Sequence, residues 1–364
     1  MKNFDIVSPV RIVFGDGTFE KLTVLLEELN AKKAFFLAAK IFEREISALS
    51  GESFFAGADY RIGFDPELKD CVEIAKAIVN SQADCIVAVG GGSVIDAAKF
   101  SSAIAGDIGD AELYFYQKKP LPKRKIGLIA APTTAGTGSE VTRVAVINNG
   151  EEKRTINDTA FYADIALIDP VFTRGMGARL TAISGLDALS HALEACWSIN
   201  NTPLTDLYAG EAIRLLASNL EAALKDPNDF EARSKTSYAA LLAGLAFAVT
   251  KTAAVHAISY PLSEIFHLPH GEACALTLKE FLSINMSVRL RGILERAGAD
   301  EASLKERIER IQLFAGLTTS LPHIPEKLID RSLAHPLMKN NPVAIDANSL
   351  KNIFNRINEN GKIN

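Results

Sequence analysis

Cysteine is scarce in this sequence. Cys71, Cys85, Cys196 and Cys274 are the four present in 364 residues, and no two form a C-x-x-C pair. That argues against a disulfide framework and against a thiolate zinc cage, and makes a reducing cytoplasm the expected setting. Most of the four sit beside apolar neighbours, so core packing is their expected role. Long apolar runs are lacking as well. The longest, Ala239 to Val249, has 11 residues; it is too short to span a bilayer and reads as a buried helix. The opening Met1-Lys2-Asn3-Phe4-Asp5 has no apolar stretch of the secretory kind. Charge of one sign is not in excess either. With 39 Lys and Arg against 44 Asp and Glu the net charge is −5, which gives no electrostatic reason to expect nucleic acid or an anionic membrane as partner. No internal repeat or low-complexity tract is evident.

What is present is an ordinary globular composition, 48% hydrophobic and 23% charged, on a chain long enough for two domains. Through residue 180, β-rich runs alternate with helical patterns. Val10 to Phe14 and Ala34 to Ala39 read as strands, and Thr18 to Leu29 as a helix. A further helix is expected to open at Phe64-Asp65-Pro66-Glu67 and run to Asn80. Cys85 to Val89, Ile126 to Ala131 and Ile165 to Ile168 are continuous apolar runs of the kind buried on both faces of a parallel sheet. The alternation predicts a doubly wound α/β domain over 1–180. From Thr181 the chain turns alanine- and leucine-rich, with helical patterns over 182–198, 204–224, 231–260 and 271–286. An all-helical domain is expected over 181–364.

Two loops carry phosphate-binding character. Cys85 to Lys99 reads as strand, glycine turn and helix start, and Gly90, Gly91 and Gly92 let an anion approach the backbone without a Cβ in the way. The helix opening near Ser93 would aim free N–H groups at it. Tight strand-to-helix packing explains the glycines equally well, and Ser93 with Asp96 resembles a capping box. The letters are not those of G-x-G-x-x-G. The second loop, Pro132 to Thr142, lines two glycines with the hydroxyls of Thr133, Thr134, Thr137, Ser139 and Thr142. A plain polar turn reads the same way. Two such loops after buried strands favour a nucleotide or dinucleotide site.

A second constellation is metal-like. Asp187 and His191 are four apart in a helical pattern and share a face. His256 and His270 follow, the first before Pro261, which is expected to end or kink its helix, and the second near the start of another. One carboxylate and three imidazoles suit iron(II) or zinc. Taken singly, each histidine would be read as a hydrogen-bonded core residue. Glu194 shares the face of Asp187 and His191, either as a partner of a ligand or as a member of a buried ion pair. His267, three before His270, reads either as a further lining residue of the same cavity or, as expected, as an exposed one, and His323 and His335 as structural or surface residues.

Taken together, four segments resemble the iron-containing alcohol dehydrogenase family: Gly90-Gly-Gly-Ser-x-x-Asp-x-x-Lys99, Pro132-Thr-Thr-x-Gly-Thr-x-x-Glu-Val141, Gly185-x-Asp-Ala-x-x-His-Ala192, and His256 followed by Pro269-His-Gly271. The likeness extends over nearly the whole chain. It implies a dinucleotide-binding α/β domain, a helical domain and a cleft between them. It also implies a metal, iron(II) or zinc, on Asp187, His191, His256 and His270. NAD(H) or NADP(H) contacts are implied at Gly91, Gly92, Ser93, Asp96, Thr133, Thr134 and Thr137. Assembly as a homodimer or larger is the family's habit. The expected reaction is hydride transfer between nicotinamide and a small alcohol or aldehyde.

The sequence departs from the family pattern at two places. Tyr260 stands where many members carry a further histidine, so a histidine proton relay is not expected there and the phenol is the candidate substitute. Ala39-Lys40 ends the second strand where NAD-specific relatives tend to have an aspartate, so NADPH is expected to be accepted and preferred. The segment Lys251 to Pro261 looks like that of phosphonoacetaldehyde reductases, with Lys251 about 1.5 helical turns before His256. Lys251 then reads either as a contact to an anionic substrate or as a solvated helix residue. The alternatives to a dehydrogenase are a dehydroquinate-synthase-like lyase and a catalytically silent nucleotide- or metal-binding protein.

Overall fold

The computed structural model of the chain describes residues 3–150 and 152–360. It divides into two compact units, one built from residues 7–134 and 139–172 and the other from 135–138 and 173 onward together with the first described residues.

The α/β unit carries eight strands: β1 (Arg11–Phe14), β2 (Ala34–Ala38), β3 (Phe55–Asp59), β4 (Cys85–Gly90), β5 (Gly127–Pro132), β6 (Val144–Asn149), β7 (Glu152–Asn157) and β8 (Ile165–Ile168). Six of them form one parallel sheet in the order β1-β8-β5-β4-β2-β3. Every residue of β2, β4 and β8 is buried. This is why these segments show no polar alternation: helices cover both faces of a parallel sheet. The remaining two strands, β6 and β7, pair as a separate antiparallel hairpin.

Several local expectations are corrected. The helix expected from Phe64 begins at Leu68 and runs to Asn80. Glu67 is extended and bridges to Asn148, which holds the Pro66 region out of the helix. Thr18–Lys21 is a 3₁₀ turn, and only Leu22–Glu28 is α-helical. The Ser93–Asp96 capping box does not form. The helix Gly92–Ile104 is capped by Gly91 with no side-chain bond. Ser93 instead donates its hydroxyl to the Phe64 carbonyl, and the Asp96 carboxylate is occupied elsewhere.

The second unit is helical: Ala178–Trp197, Pro203–Lys225, Phe230–Thr250, Ala254–Phe266 and His270–Ile284, then Val288–Arg296, Glu301–Phe314, Glu326–Ala334 and Ala347–Asn360. One apolar cluster runs through these helices and includes Leu186, Leu193, Leu216, Leu262, Phe281 and Phe354. Each such side chain, fully buried, contributes about 1.5–3 kcal/mol. Thr202 and Thr205 form a capping box ahead of Pro203–Lys225, with Pro203 in the first turn. The unit begins at Thr173, ahead of the change of character read at 181. The reason is Arg233, a buried guanidinium that donates to the Met176 carbonyl and the Thr181 hydroxyl and so fastens the preceding turn to the helices.

The single helix expected over 231–260 is two helices, and the bend between them is 103°. The break lies at Lys251–Ala253, eight residues before Pro261 at its near end, and Pro261 sits inside a helix that continues to Phe266. Among the described residues no single helix is long and apolar enough to cross a membrane.

Candidate active site

The break at 251–253 is built by one carboxylate. Glu194, fully buried near the end of Ala178–Trp197, accepts the backbone amides of Ala253 (2.9 Å) and Val255 (2.7 Å). It thereby caps the helix Ala254–Phe266, whose own N-terminal residues offer no side-chain cap. The same carboxylate lies 2.6 Å from His256 Nδ1. A carboxylate can only accept, so Nδ1 carries a proton toward Glu194 and Nε2 faces the other way. Both readings open for Glu194 meet at His256: the carboxylate is its hydrogen-bond partner, and an ion-pair partner whenever the ring is protonated.

His256 Nε2 faces Asp187. His256 Nε2 is 3.5 Å from Asp187 Oδ1, His270 Nε2 3.8 Å and His191 Nε2 3.9 Å. Atoms bound about 2.0–2.3 Å from one ion stand about 3–4 Å apart. Asp187 Oδ1 and His256 Nε2 are buried and make no hydrogen bond. Two buried polar atoms without a hydrogen bond are costly unless a positive charge, on the imidazole or on a bound cation, stands with the carboxylate. The donor set fits a divalent cation.

Close helix packing makes the convergence possible. A Cβ on Gly271 would collide with the Ile183 carbonyl and stand 3.1 Å from Asp187 Cβ, so glycine lets His270–Ile284 approach Ala178–Trp197. Phe247 stacks on the His191 ring at 4.1 Å, and His191 on His256 at 4.5 Å, which fixes both rings. Burial pushes Asp187 up, but the surrounding imidazoles outweigh it and hold the carboxyl well below its usual range. Burial drives His191 down to about 3, whereas against burial Cys274 and the neighbouring carboxylates hold His256 well above and His270 above the ordinary imidazole value.

Cys274 was read from the sequence as core packing, yet it belongs to this cluster. Its Sγ lies 3.9 Å from His270 Nε2, and one ligand atom from each of Asp187, His256, His270 and Cys274 falls within 4.8 Å of the others. The signal was available: Cys274 is four residues after His270, the spacing that put Asp187 and His191 on one face. His335 is also closer than expected. It stacks on Tyr260 at 4.8 Å, and Tyr260 in turn faces His270 with ring centroids 5.6 Å apart. His267 is exposed in a left-handed C-cap, and His323 is exposed against Phe266. Lys251 is not on the helix of His256. It is exposed, caps Phe230–Thr250 at φ 57°, and the bend separates it from the ligand's helix.

In the α/β unit, Gly91, Gly92 and Ser93 are half-buried at the uncapped start of Gly92–Ile104, at the C-terminal end of β4. Thr134 is half-buried beside Gly91, whose Cβ would stand 3.5 Å from the threonine hydroxyl. Thr133 is buried and its amide donates to the Gly90 carbonyl, tying the two loops together. Asp96 looks inward: it accepts from the Ser139 hydroxyl (2.6 Å) and the Val146 amide (2.9 Å), and Lys99 lies 3.8 Å away. Both of its oxygens are engaged within the protein. The glycines of the second loop are explained by packing in the helical unit. A Cβ on Gly136 would meet the Ser184 backbone at 2.9 Å, and one on Gly138 the Gly244 Cα at 2.6 Å. Thr137 lies between them, half-buried.

Comparison with known proteins matches this arrangement. The iron-containing alcohol dehydrogenase family model matches residues 9–170, and the Fe-containing alcohol dehydrogenase C-terminal model residues 181–339. Long-chain-alcohol dehydrogenase 1 of Geobacillus thermodenitrificans is 32% identical over 82% of this chain and 80% of its own. The sulfoacetaldehyde reductase of Bilophila wadsworthia is 29% identical over 92% of this chain and 94% of its own. Among solved structures, the NAD+ complex of sulfoacetaldehyde reductase from Bifidobacterium kashiwanohense superposes with a TM-score of 0.92 at 31% identity, covering 98% of this chain and 99% of that one. The chain is an oxidoreductase acting on alcohols and aldehydes. It belongs to the iron-containing alcohol dehydrogenase family, which sets the lyase reading aside.

Proposed function

We propose that the protein is a metal-dependent, nicotinamide-linked reductase of small aldehydes, in which Asp187, His191, His256 and His270 hold a divalent cation. The observation that carries the reading is the pair of buried polar atoms without a hydrogen bond, Asp187 Oδ1 and His256 Nε2, 3.5 Å apart with two further imidazoles beside them. Four protein ligands would fill a tetrahedral zinc ion, so iron(II), which accepts more, fits an open position better. When bound, the cation supplies positive charge for the substrate oxygen and the nicotinamide supplies the hydride. The chain's own contribution is positioning. Glu194 fixes the His256 tautomer, Phe247 holds the His191 ring, and the Tyr260 phenol beside His270 is the group available to exchange the alcohol proton.

For the cofactor, Gly91, Gly92, Ser93, Thr133, Thr134 and Thr137 are the proposed contacts, with Asp96 holding the loop from behind. NADPH is the proposed preference, on the strength of Ala39 and Lys40. For the substrate we favour a two-carbon aldehyde with an anionic tail, phosphonoacetaldehyde first, with Lys251 as its charge partner. The sequence of 251–261 and the similarity to sulfoacetaldehyde reductases support this choice. The test is iron(II)-reconstituted protein assayed anaerobically with NADH and NADPH against phosphonoacetaldehyde, sulfoacetaldehyde and propanal. The expected result is the highest kcat/KM for phosphonoacetaldehyde with NADPH. Stoichiometric metal with no oxidation of either cofactor on any aldehyde would overturn the reductase reading.

A further inference from the structure

We propose that Cys274 is a fifth protein donor to the metal, coordinating through Sγ as a thiolate. The inference rests on the metal reading above and goes beyond its four-ligand set. Cys274 is completely buried, and an ordinary buried cysteine turns its sulfur into apolar packing. This one does not. It stands one helical turn after His270 on the same helix, with Sγ 3.9 Å from His270 Nε2. Asp187, His256, His270 and Cys274 bring one ligand atom each within 4.8 Å of one another. The space they enclose is the one faced by the unpartnered Asp187 Oδ1 and His256 Nε2, on residues 3% and 2% exposed.

On coordination the Sγ–H bond breaks, its proton leaves to solvent, and a sulfur electron pair forms the bond to the ion, with no change of oxidation state. Five protein donors still leave one place on a six-coordinate ion for the substrate oxygen. A thiolate is a softer donor than imidazole or carboxylate, and it biases the site toward zinc, cobalt and iron over manganese and magnesium.

The experiment is replacement of the metal by cobalt(II) in the full-length wild type and in Cys274→Ser and Cys274→Ala. Bound cobalt is quantified and absorption spectra are recorded, with circular dichroism melts to confirm folding. The expected result is one cobalt per chain in the wild type with an intense near-ultraviolet sulfur-to-cobalt charge-transfer band. That band is lost in both variants, while the weaker visible bands of cobalt persist. Competition between zinc and manganese should move toward manganese in the same variants. Stoichiometric cobalt in the wild type without the charge-transfer band would overturn the thiolate and leave the four-ligand site standing. Failure of the wild type to bind cobalt at all would overturn both. If one variant does not fold, the wild-type spectrum and the other variant still decide the question.

Discussion

The Glu194 carboxylate stands 2.6 Å from His256 Nδ1 while it accepts the amides of Ala253 and Val255. One buried side chain thus sets the tautomer of a ligand, caps the ligand's helix and locates the 103° bend that brings His256 toward Asp187. Partners of this kind, one bond removed from the metal, are worth roughly 10–100-fold in metal affinity. Glu194→Gln keeps the shape but loses the charge and offers one acceptor oxygen where there were two. Metal affinity is expected to fall by about that factor, with a lower melting temperature even in the apo-protein because the cap is weakened. Isothermal titration with zinc and a thermal melt measure the two losses separately. Unchanged affinity would remove Glu194 from the site.

Gly271 tests whether the approach of two helices builds the site. In Gly271→Ala the new methyl group meets the Ile183 carbonyl and crowds Asp187, so His270–Ile284 must back away. Overpacking of this kind costs about 1–3 kcal/mol. A shift of under an ångström also spoils the meeting of His270 with Asp187. The variant should fold, melt lower, and bind metal far more weakly than its loss of stability alone accounts for. Elemental analysis of purified protein beside urea titrations of the apo-form would show this. Full occupancy would mean the helices have room to spare.

Buried Lys99 gives a pH dependence in the α/β unit. Burial pushes its ammonium down to about 8, against the pull of Asp96 and Glu140. The unfolded chain holds its proton up to the ordinary lysine value near 10.4. Between those values the unfolded state binds more protons than the folded one, so this residue's contribution to stability rises with pH from about 8 to about 10. In Lys99→Met that component should vanish. Urea midpoints for wild type and variant at pH 8 and pH 10 provide the comparison, and parallel changes in the two proteins would contradict it.

Cofactor choice turns on the end of β2. Ala39 leaves no carboxylate to repel a 2′-phosphate, and Lys40, paired at 2.7 Å with Glu43 in an exposed ion pair and lying over the Tyr60 ring, attracts one by exchanging that weak partner. Ala39→Asp should move the kcat/KM ratio toward NADH, and Glu43→Gln, by releasing Lys40, toward NADPH. Steady-state kinetics with both cofactors read both changes, and the two variants moving the ratio in the same direction would refute the assignment.

How much of this was legible in the sequence depends on how local the cause is. β4, β5 and β8 were readable because burial on both faces leaves an unbroken apolar run, and Asp187, His191, His256 and His270 because their motifs are short and specific. β3 was not, since Phe55-Ala-Gly-Ala-Asp59 is half-buried and carries a glycine and no β-branched residue. The break at 251–253 was not either. Its cause is Glu194, about sixty residues away in sequence, and Pro261, the residue that advertises a break, lies inside a continuous helix. Cys274 was missed for a different reason: its neighbours in sequence are apolar, while its neighbours in space are histidines.

The bend also decides how Lys251 is tested. A lysine on the helix of His256 would have its direction fixed by helical spacing. Here Lys251 closes the preceding helix at φ 57°, its amide bonded to the Phe247 carbonyl and its side chain exposed. Phe247 is the residue stacked on His191, so the backbone that positions Lys251 is one turn from the residue that holds the His191 ring. If Lys251 pairs with a phosphonate, losing a charge-assisted contact should lower kcat/KM for phosphonoacetaldehyde by about tenfold or more. Propanal, which has no anionic tail, should be affected little. Lys251→Ala also places a non-glycine residue without a long side chain at a positive φ, as lysine already does, so strain changes little. Lys251→Gly, which relieves that strain altogether, controls for it. Both variants should lose phosphonoacetaldehyde turnover, and raised ionic strength should erode the wild-type advantage on the same substrate. Equal losses on propanal and phosphonoacetaldehyde would assign Lys251 to the fold of the bend and leave the anion to another residue.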